Sequence, residues 1–142
     1  MKAVLDTNVL ISALIKRGKP RSLLNVLFKQ DDSLITSEHI VEEFSRVSAD
    51  EKIRKYADDD DVADFLSAFL SKAVFVSLES KIQVLNDPDD KVLAVAKAGG
   101  ADLIVTGDRH MLDLEKFGRT KIVTVEEALL ILRKQRAGRR TR

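Results

Sequence analysis

Four acidic residues stand where this chain could do chemistry: Asp6 in AVLDTNVL, Glu43 in SEHIVEEF, Asp89 in NDPDDKVLAVA and Asp108 in LIVTGDRH. Carboxylates gathered at one place repel one another unless a cation joins them. Hard divalent cations take oxygen ligands, and Mg²⁺ is typically held by one or two carboxylates together with waters and a substrate phosphate. A cation held in this way activates water, orients a phosphodiester and stabilises charge on the leaving oxygen. The residue types therefore point to one or two Mg²⁺ or Mn²⁺ ions and to phosphodiester cleavage. Rival chemistries lack their parts. There is no cysteine, which removes thiolate catalysis, disulfides and cysteine zinc sites. His39 and His110 have no HxxxH spacing, and no Ser–His–Asp or Lys–Ser arrangement is visible.

Taken singly, each acid has an ordinary reading. Asp6 and Asp89 could cap helices, Asp108 in TGD could sit in a turn, and Glu43 could be a helix-surface acid. Their joint placement carries the hypothesis, and that placement depends on the elements around them. Lys2 to Leu5 reads as a strand ended by Asp6. Val9, Leu10, Ala13 and Leu14 then repeat at helical spacing until Gly18-Lys19-Pro20 breaks the pattern. A second stripe, Leu23, Leu24, Leu27 and Phe28, leads to the short strand Leu34–Thr36. Ser37 reads as an N-cap before a helix that buries Ile40, Val41, Phe44 and Val47. This places Glu43 at the margin of the buried stripe and Glu42 in water. The acidic run Asp58–Asp61 suits the positive end of a helix dipole. Further strands are expected at Ala73–Val76, Leu103–Val105 and Lys121–Val123, with helices over Val92–Ala96 and from Val125 to Arg136.

Alternation of strands and helices implies a mostly parallel sheet covered on both faces, a three-layer α/β/α sandwich of four or five strands. In such sheets ligands bind beyond the carboxyl ends of the strands; Asp6 directly follows the first strand, and Asp108 follows Leu103–Val105 after Thr106-Gly107.

Length bounds the rest. The 142 residues suffice for one domain with a core of its own. We expect a domain over residues 1–136 and a basic, disordered tail over 137–142. No apolar run exceeds five residues, far short of the roughly 20 that span a membrane, so no membrane association and a cytoplasmic location are expected. The net charge of +1 hides an asymmetry. The ten residues from Arg133 hold six Lys or Arg and no acid, which leaves residues 1–132 at −5. Such a body does not grip nucleic acid by bulk charge and needs a bound cation or local basic groups.

Three segments together resemble the PIN-domain ribonucleases, most closely the toxin half of VapBC-type toxin–antitoxin pairs: VLDTNVLISAL, ITSEHIVEEFSRV and DPDDKVLAVAKAGGADLIVTGD. The likeness covers roughly residues 1–130. It implies that Asp6, Glu43, Asp89 and Asp108 take the family's acidic metal-site roles. By the same resemblance Asp89 is preferred to Asp90, because it lies seven residues before Ala96 as the family's acid precedes its alanine, and Asp87 comes behind both. The resemblance further implies Mg²⁺- or Mn²⁺-dependent cleavage of single-stranded RNA, a homodimer and an antitoxin partner. Asn8 and Thr106 are the expected supporting residues, Asn8 donating to Asp6 or a phosphate oxygen and Thr106 holding Asp108. Ser12 is a weaker candidate for the same site. Asp113 reads as a surface acid and His110 as a loop histidine. Arg109 and Arg119 flank the site in sequence and could meet phosphates, and the basic tail could bind RNA backbone.

Two other functions share these features. A PIN-like domain could bind RNA or protein without cutting. A phospho-accepting signalling domain also carries acids at strand ends, but it would want a lysine late in the chain at a strand's carboxyl end, and Lys121 opens its strand instead.

Overall fold

The computed structural model describes residues 1–78 and 88–140, without the side chains of 88–90 and 139–140. The chain runs β1 (Ala3–Leu5), α1 (Thr7–Ile15), α2 (Lys19–Phe28), β2 (Leu34–Thr36), α3 (Glu38–Ser48), α4 (Glu51–Arg54), α5 (Asp59–Lys72), β3 (Val74–Phe75), α6 (Pro88–Gly99), β4 (Leu103–Val105), α7 (Arg109–Asp113), β5 (Lys116–Phe117), β6 (Thr120–Val123) and α8 (Val125–Arg140). One sheet forms in the order β3-β2-β1-β4-β6-β5. All neighbours are parallel except β5 and β6.

The three-residue strands β1, β2 and β4 are buried along their whole length, which is why their sequences are unbroken apolar runs rather than alternating ones. From β1 the chain steps outward to β2 and β3. It then crosses back over β1 to β4 and β6. Because parallel crossovers are right-handed, reversing the direction of travel puts the return helix on the opposite face. Helix α6 accordingly packs on β1, β2 and β4, whereas α1 packs on α2 and α3, and α2 on α8. These are the two outer layers.

Among the described residues the sheet has six strands, one or two more than expected. The additional strand, β5, is a two-residue piece paired antiparallel with β6 through the turn Gly118-Arg119, where Gly118 takes φ +59°. A two-residue loop with glycine at positive φ is a hairpin signal, and FGRT carried it in the sequence. At the other end, α8 continues to Arg140, past residue 137 where loss of order was expected. Thr141 and Arg142 lie outside the described residues.

Local rules account for the helix boundaries. Ser37 Oγ accepts from the Ile40 amide at 3.5 Å. Asp58 and Asp61 form a reciprocal capping box at the start of α5, so the acidic run is a helix start. Arg21 donates to the carbonyls of Ala13 and Leu14 at 2.9 and 2.8 Å, closing the end of α1 against α2. Phe44 of α3 stacks on Phe65 of α5 with ring centroids 5.2 Å apart.

At the end of α6 the packing leaves no room for a side chain. A Cβ at Gly99 would lie 2.5 Å from Ile35 Cγ2, in the middle of β2. Ile35 is β-branched and buried, so it cannot swing away. Gly99→Ala is expected to destabilise the protein by about 1–3 kcal/mol through overpacking, despite alanine's better helix propensity. Urea denaturation checks this, with a lowered midpoint at unchanged slope as the expected result.

Candidate functional site

The turning point of the sheet is the gap between β1 and β4, from whose carboxyl ends the chain departs in opposite directions. Such switch points are where open α/β sheets form ligand crevices. Leu5 pairs with Val105, and the Asp6 amide donates to the Val105 carbonyl at 3.1 Å. The first residues beyond the two strands are therefore neighbours although they are 100 positions apart.

Asp6 caps α1, with Oδ1 accepting from the Val9 amide at 2.9 Å. Its Oδ2 accepts from the hydroxyl of Thr106. Thr106 is fully buried, and the same Oγ1 accepts from the Asp108 amide at 3.0 Å. Asp108 caps α7 in turn, its Oδ1 accepting from the His110 amide at 2.8 Å. One hydroxyl thus fixes Asp6 and the backbone of Asp108 together.

Glu43 arrives from α3. The helix starts at the carboxyl end of β2, buries Ile40 and Phe44, and leaves Glu43 half-buried beside them while Glu42 faces solvent. Asp6, Glu43 and Asp108 line one cleft of roughly 320 Å³ with Asn8, Lys91 and His39, over the buried Ile40, Val92 and Met111. No hydrogen bond or ion pair among the described residues engages the Glu43 carboxylate or Asp108 Oδ2, and both residues line the cleft.

The electrostatics show the cost of this arrangement. Burial, chiefly, pushes the Asp6 carboxyl above its ordinary range. The Thr106 and Val9 hydrogen bonds oppose that shift, while the charges of Asp108 and Glu43 add to it. Among the described residues, no three acidic or histidine side chains come close enough to hold a metal ion by themselves. Three of the carboxylates thus share a cleft without forming a closed cluster.

Asp89 lies in the first turn of α6, and its side chain and that of Asp90 fall outside the described residues, as does the whole of Asp87. Asn8 is exposed at the junction of the cleft with an adjoining groove, and it makes no described bond to Asp6. Ser12 lines that groove with Asn8, Thr106 and Gly107, not the acidic cleft. Asp113 and His110 are exposed and absent from the cleft lining. Arg109 is exposed next to Asp108. Arg119 does not flank the site. It lies in the β5–β6 turn and donates to Asp102 Oδ1 at 2.8 Å, at the amino-terminal edge of the sheet, because parallel strands put the residues before β4 at the far end. Lys91 was not anticipated. Its one sequence signal is that it follows the acids of DPDDK.

Residues 2–110 match the PIN domain family model, and the chain belongs to the PIN-domain family. An uncharacterized protein of Methanocaldococcus jannaschii is 35% identical over 117 residues, which is 80% of this chain and 75% of that protein. Two crystal structures share the fold. One is VapBC2 from Rickettsia felis bound to a DNA fragment from their promoter, with TM-score 0.61, 18% identity, and coverage of 87% of this chain and 98% of that one. The other is PAE2754 from Pyrobaculum aerophilum, with TM-score 0.62, 18% identity, and coverage of 94% and 90%.

Two outcomes follow from the Asp6–Thr106 pair. A carboxyl whose folded pKa is raised binds its proton more readily in the folded state. Stability therefore falls as pH rises from the ordinary carboxylate pKa through the raised one, and the loss is complete above it. Asp6→Asn keeps a cap and removes the charge, so in metal-free buffer at neutral pH it should melt higher than wild type. That advantage should shrink as pH falls through the carboxylate range, which a thermal-melt series across pH reads directly. Thr106→Val strips the hydroxyl from a buried site and leaves the Asp108 amide without its acceptor. A loss of about 1–3 kcal/mol in chemical denaturation is expected.

Proposed function

We propose that this chain is a metal-dependent endoribonuclease that hydrolyses phosphodiester bonds in single-stranded RNA, with Asp6, Glu43, Asp89 and Asp108 as its metal-holding carboxylates. The observation that carries this reading is the meeting of Asp6, Glu43 and Asp108, from three separate segments, in one cleft at the switch point of the sheet. The donor set fits a hard divalent cation. It is all oxygen, open on the Glu43 and Asp108 sides, and mutually repulsive at Asp6 when no cation is bound. Asp89, on the first turn of α6, is the proposed fourth donor, and the family resemblance assigns it that role.

When bound, Mg²⁺ or Mn²⁺ (one ion or two) supplies a water made acidic enough to attack near neutral pH and a positive charge for the phosphate oxygens. The chain's own residues supply geometry. Thr106 and the Val9 amide hold the Asp6 carboxylate in one orientation, so its free lone pairs point without reorganisation. Glu43, carried on a long flexible side chain with no described partner, adjusts to the substrate. Asn8 at the rim offers an amide donor to a phosphate oxygen.

The likeness to VapBC2 supports a finer proposal: that this chain is the toxin of a toxin–antitoxin pair, works in the cytoplasm as a homodimer, and is restrained by an antitoxin protein. No helix among the described residues is long and apolar enough to cross a membrane.

A second reading is favoured by the absence, among the described residues, of a closed metal cluster: a PIN-like domain that binds RNA or protein without cutting. Metal-dependent turnover separates the two. With a mixed single-stranded RNA pool and Mn²⁺, wild type should generate discrete fragments, and Asp6→Asn, Glu43→Gln and Asp108→Asn should each lower the rate by at least about 100-fold while remaining folded. Excess chelator should abolish cleavage. Undiminished cleavage in Asp6→Asn or in chelator would remove the metal mechanism, and binding without any cleavage would favour the second reading.

A further inference from the structure

We propose that Lys91 is the phosphate-holding residue of the cleft, its ammonium group contacting a non-bridging oxygen of the RNA backbone before and independently of metal binding. This inference rests on the nuclease reading for its biological meaning, but its physical basis is separate.

Lys91 is the one lysine or arginine among the described residues that line the acidic cleft. It is half-buried, and a lysine in that position lays its apolar stem along the protein while keeping its charged head in water. Its root is rigid. The next residue, Val92, is buried, as are Val95 and Ala96 on the same helix, and α6 packs on β1, β2 and β4. The ion pairs formed among the described residues are Lys19–Glu126, Arg54–Asp59 and Arg119–Asp102. Lys91 takes part in none of them, although Asp6, Glu43 and Asp108 line the same cleft.

Helix stability does not explain a lysine there. Position 91 is the fourth residue of α6, close to the positive end of the helix dipole, where a cation is unfavourable. The balance of charge explains it better. Residues 1–132 carry a net −5, and RNA approaching three carboxylates meets repulsion unless a local cation offsets it. Arg119 is on the far edge of the sheet, and Arg109 is absent from the cleft lining.

The competing role for Lys91 is that of a counter-ion to the carboxylates alone, and the two roles separate experimentally. We would compare wild type, Lys91→Met, which keeps the apolar stem, and Lys91→Arg, which keeps the charge. Binding of a fluorescein-labelled single-stranded RNA decamer is followed by anisotropy in EDTA across a salt series. Mn²⁺ binding is measured calorimetrically without RNA. The expected result is that Lys91→Met weakens RNA binding about tenfold and lowers the salt slope by about 0.7, one phosphate contact on a single strand. Lys91→Arg should retain most of the affinity. Mn²⁺ should bind Lys91→Met as tightly as wild type or more tightly, since a repelling cation has gone. A scaffold residue would lose both ligands together.

Equal RNA affinity and slope in Lys91→Met would overturn the proposal. So would parallel loss of RNA and Mn²⁺ binding, or failure of wild type to bind the decamer in EDTA. The two readings fail distinguishably. If wild type never cleaves but the Lys91 effect on binding is present, the nuclease reading falls and this contact stands. If wild type cleaves and Lys91→Met binds normally, the reverse holds.

Discussion

A buried carboxylate between two central parallel strands is the constraint around which this molecule is arranged. Asp6 is 8% exposed, flanked by the negative charges of Asp108 and Glu43, and pushed toward its protonated form by burial above all. Left alone, such a group would select against the fold. Three features of the structure offset it: the hydroxyl of Thr106, the amide of Val9, and the amino end of α1, whose dipole favours a negative charge. The cation that we propose for this cleft would relieve the same costs.

The topology makes this place available. Because the chain leaves β1 in one direction and β4 in the other, a crevice forms beyond their carboxyl ends. The strands are three residues long, so little error can accumulate between the sheet register and the residues beyond it. The pairing of Leu5 with Val105 fixes Asp6 against Thr106, and a two-residue step then delivers Asp108. Glu43 comes by a looser route, along a helix and on a longer side chain, and it has no partner holding it among the described residues. The cleft thus combines one rigid acid, one fixed through its backbone and one adjustable.

Much of the fold was legible in the residues, for identifiable reasons. Buried parallel strands must be apolar throughout, so AVL, LIT and LIV could be read without an alternating pattern. Ser37 and the Asp58–Asp61 run announced their helices through capping chemistry that depends on local sequence alone. Strand β5 escaped because a two-residue edge strand has no pattern to detect, and only the glycine of its turn marked it. The extent of α8 escaped because a basic run reads equally as a solvated helix face or a loose tail. In the site, residues next to strand ends could be placed by topology. Sequence proximity misled for Arg119, since nearness along the chain says nothing about which edge of a parallel sheet a turn occupies. Lys91 was invisible for the converse reason. A lysine after an acidic run looks like ordinary surface charge until α6 is docked and its face is known.

Asp6, Glu43 and Asp108 come from distant segments to line one cleft, where we propose that a divalent cation binds. Paramagnetic line broadening locates that cation. On adding substoichiometric Mn²⁺ to isotope-labelled protein, the backbone signals of Thr7, Glu43 and Asp108 should broaden together, ahead of those at the exposed acidic start of α5. Broadening confined to Asp58–Asp61, or spread evenly over the surface, would contradict the account.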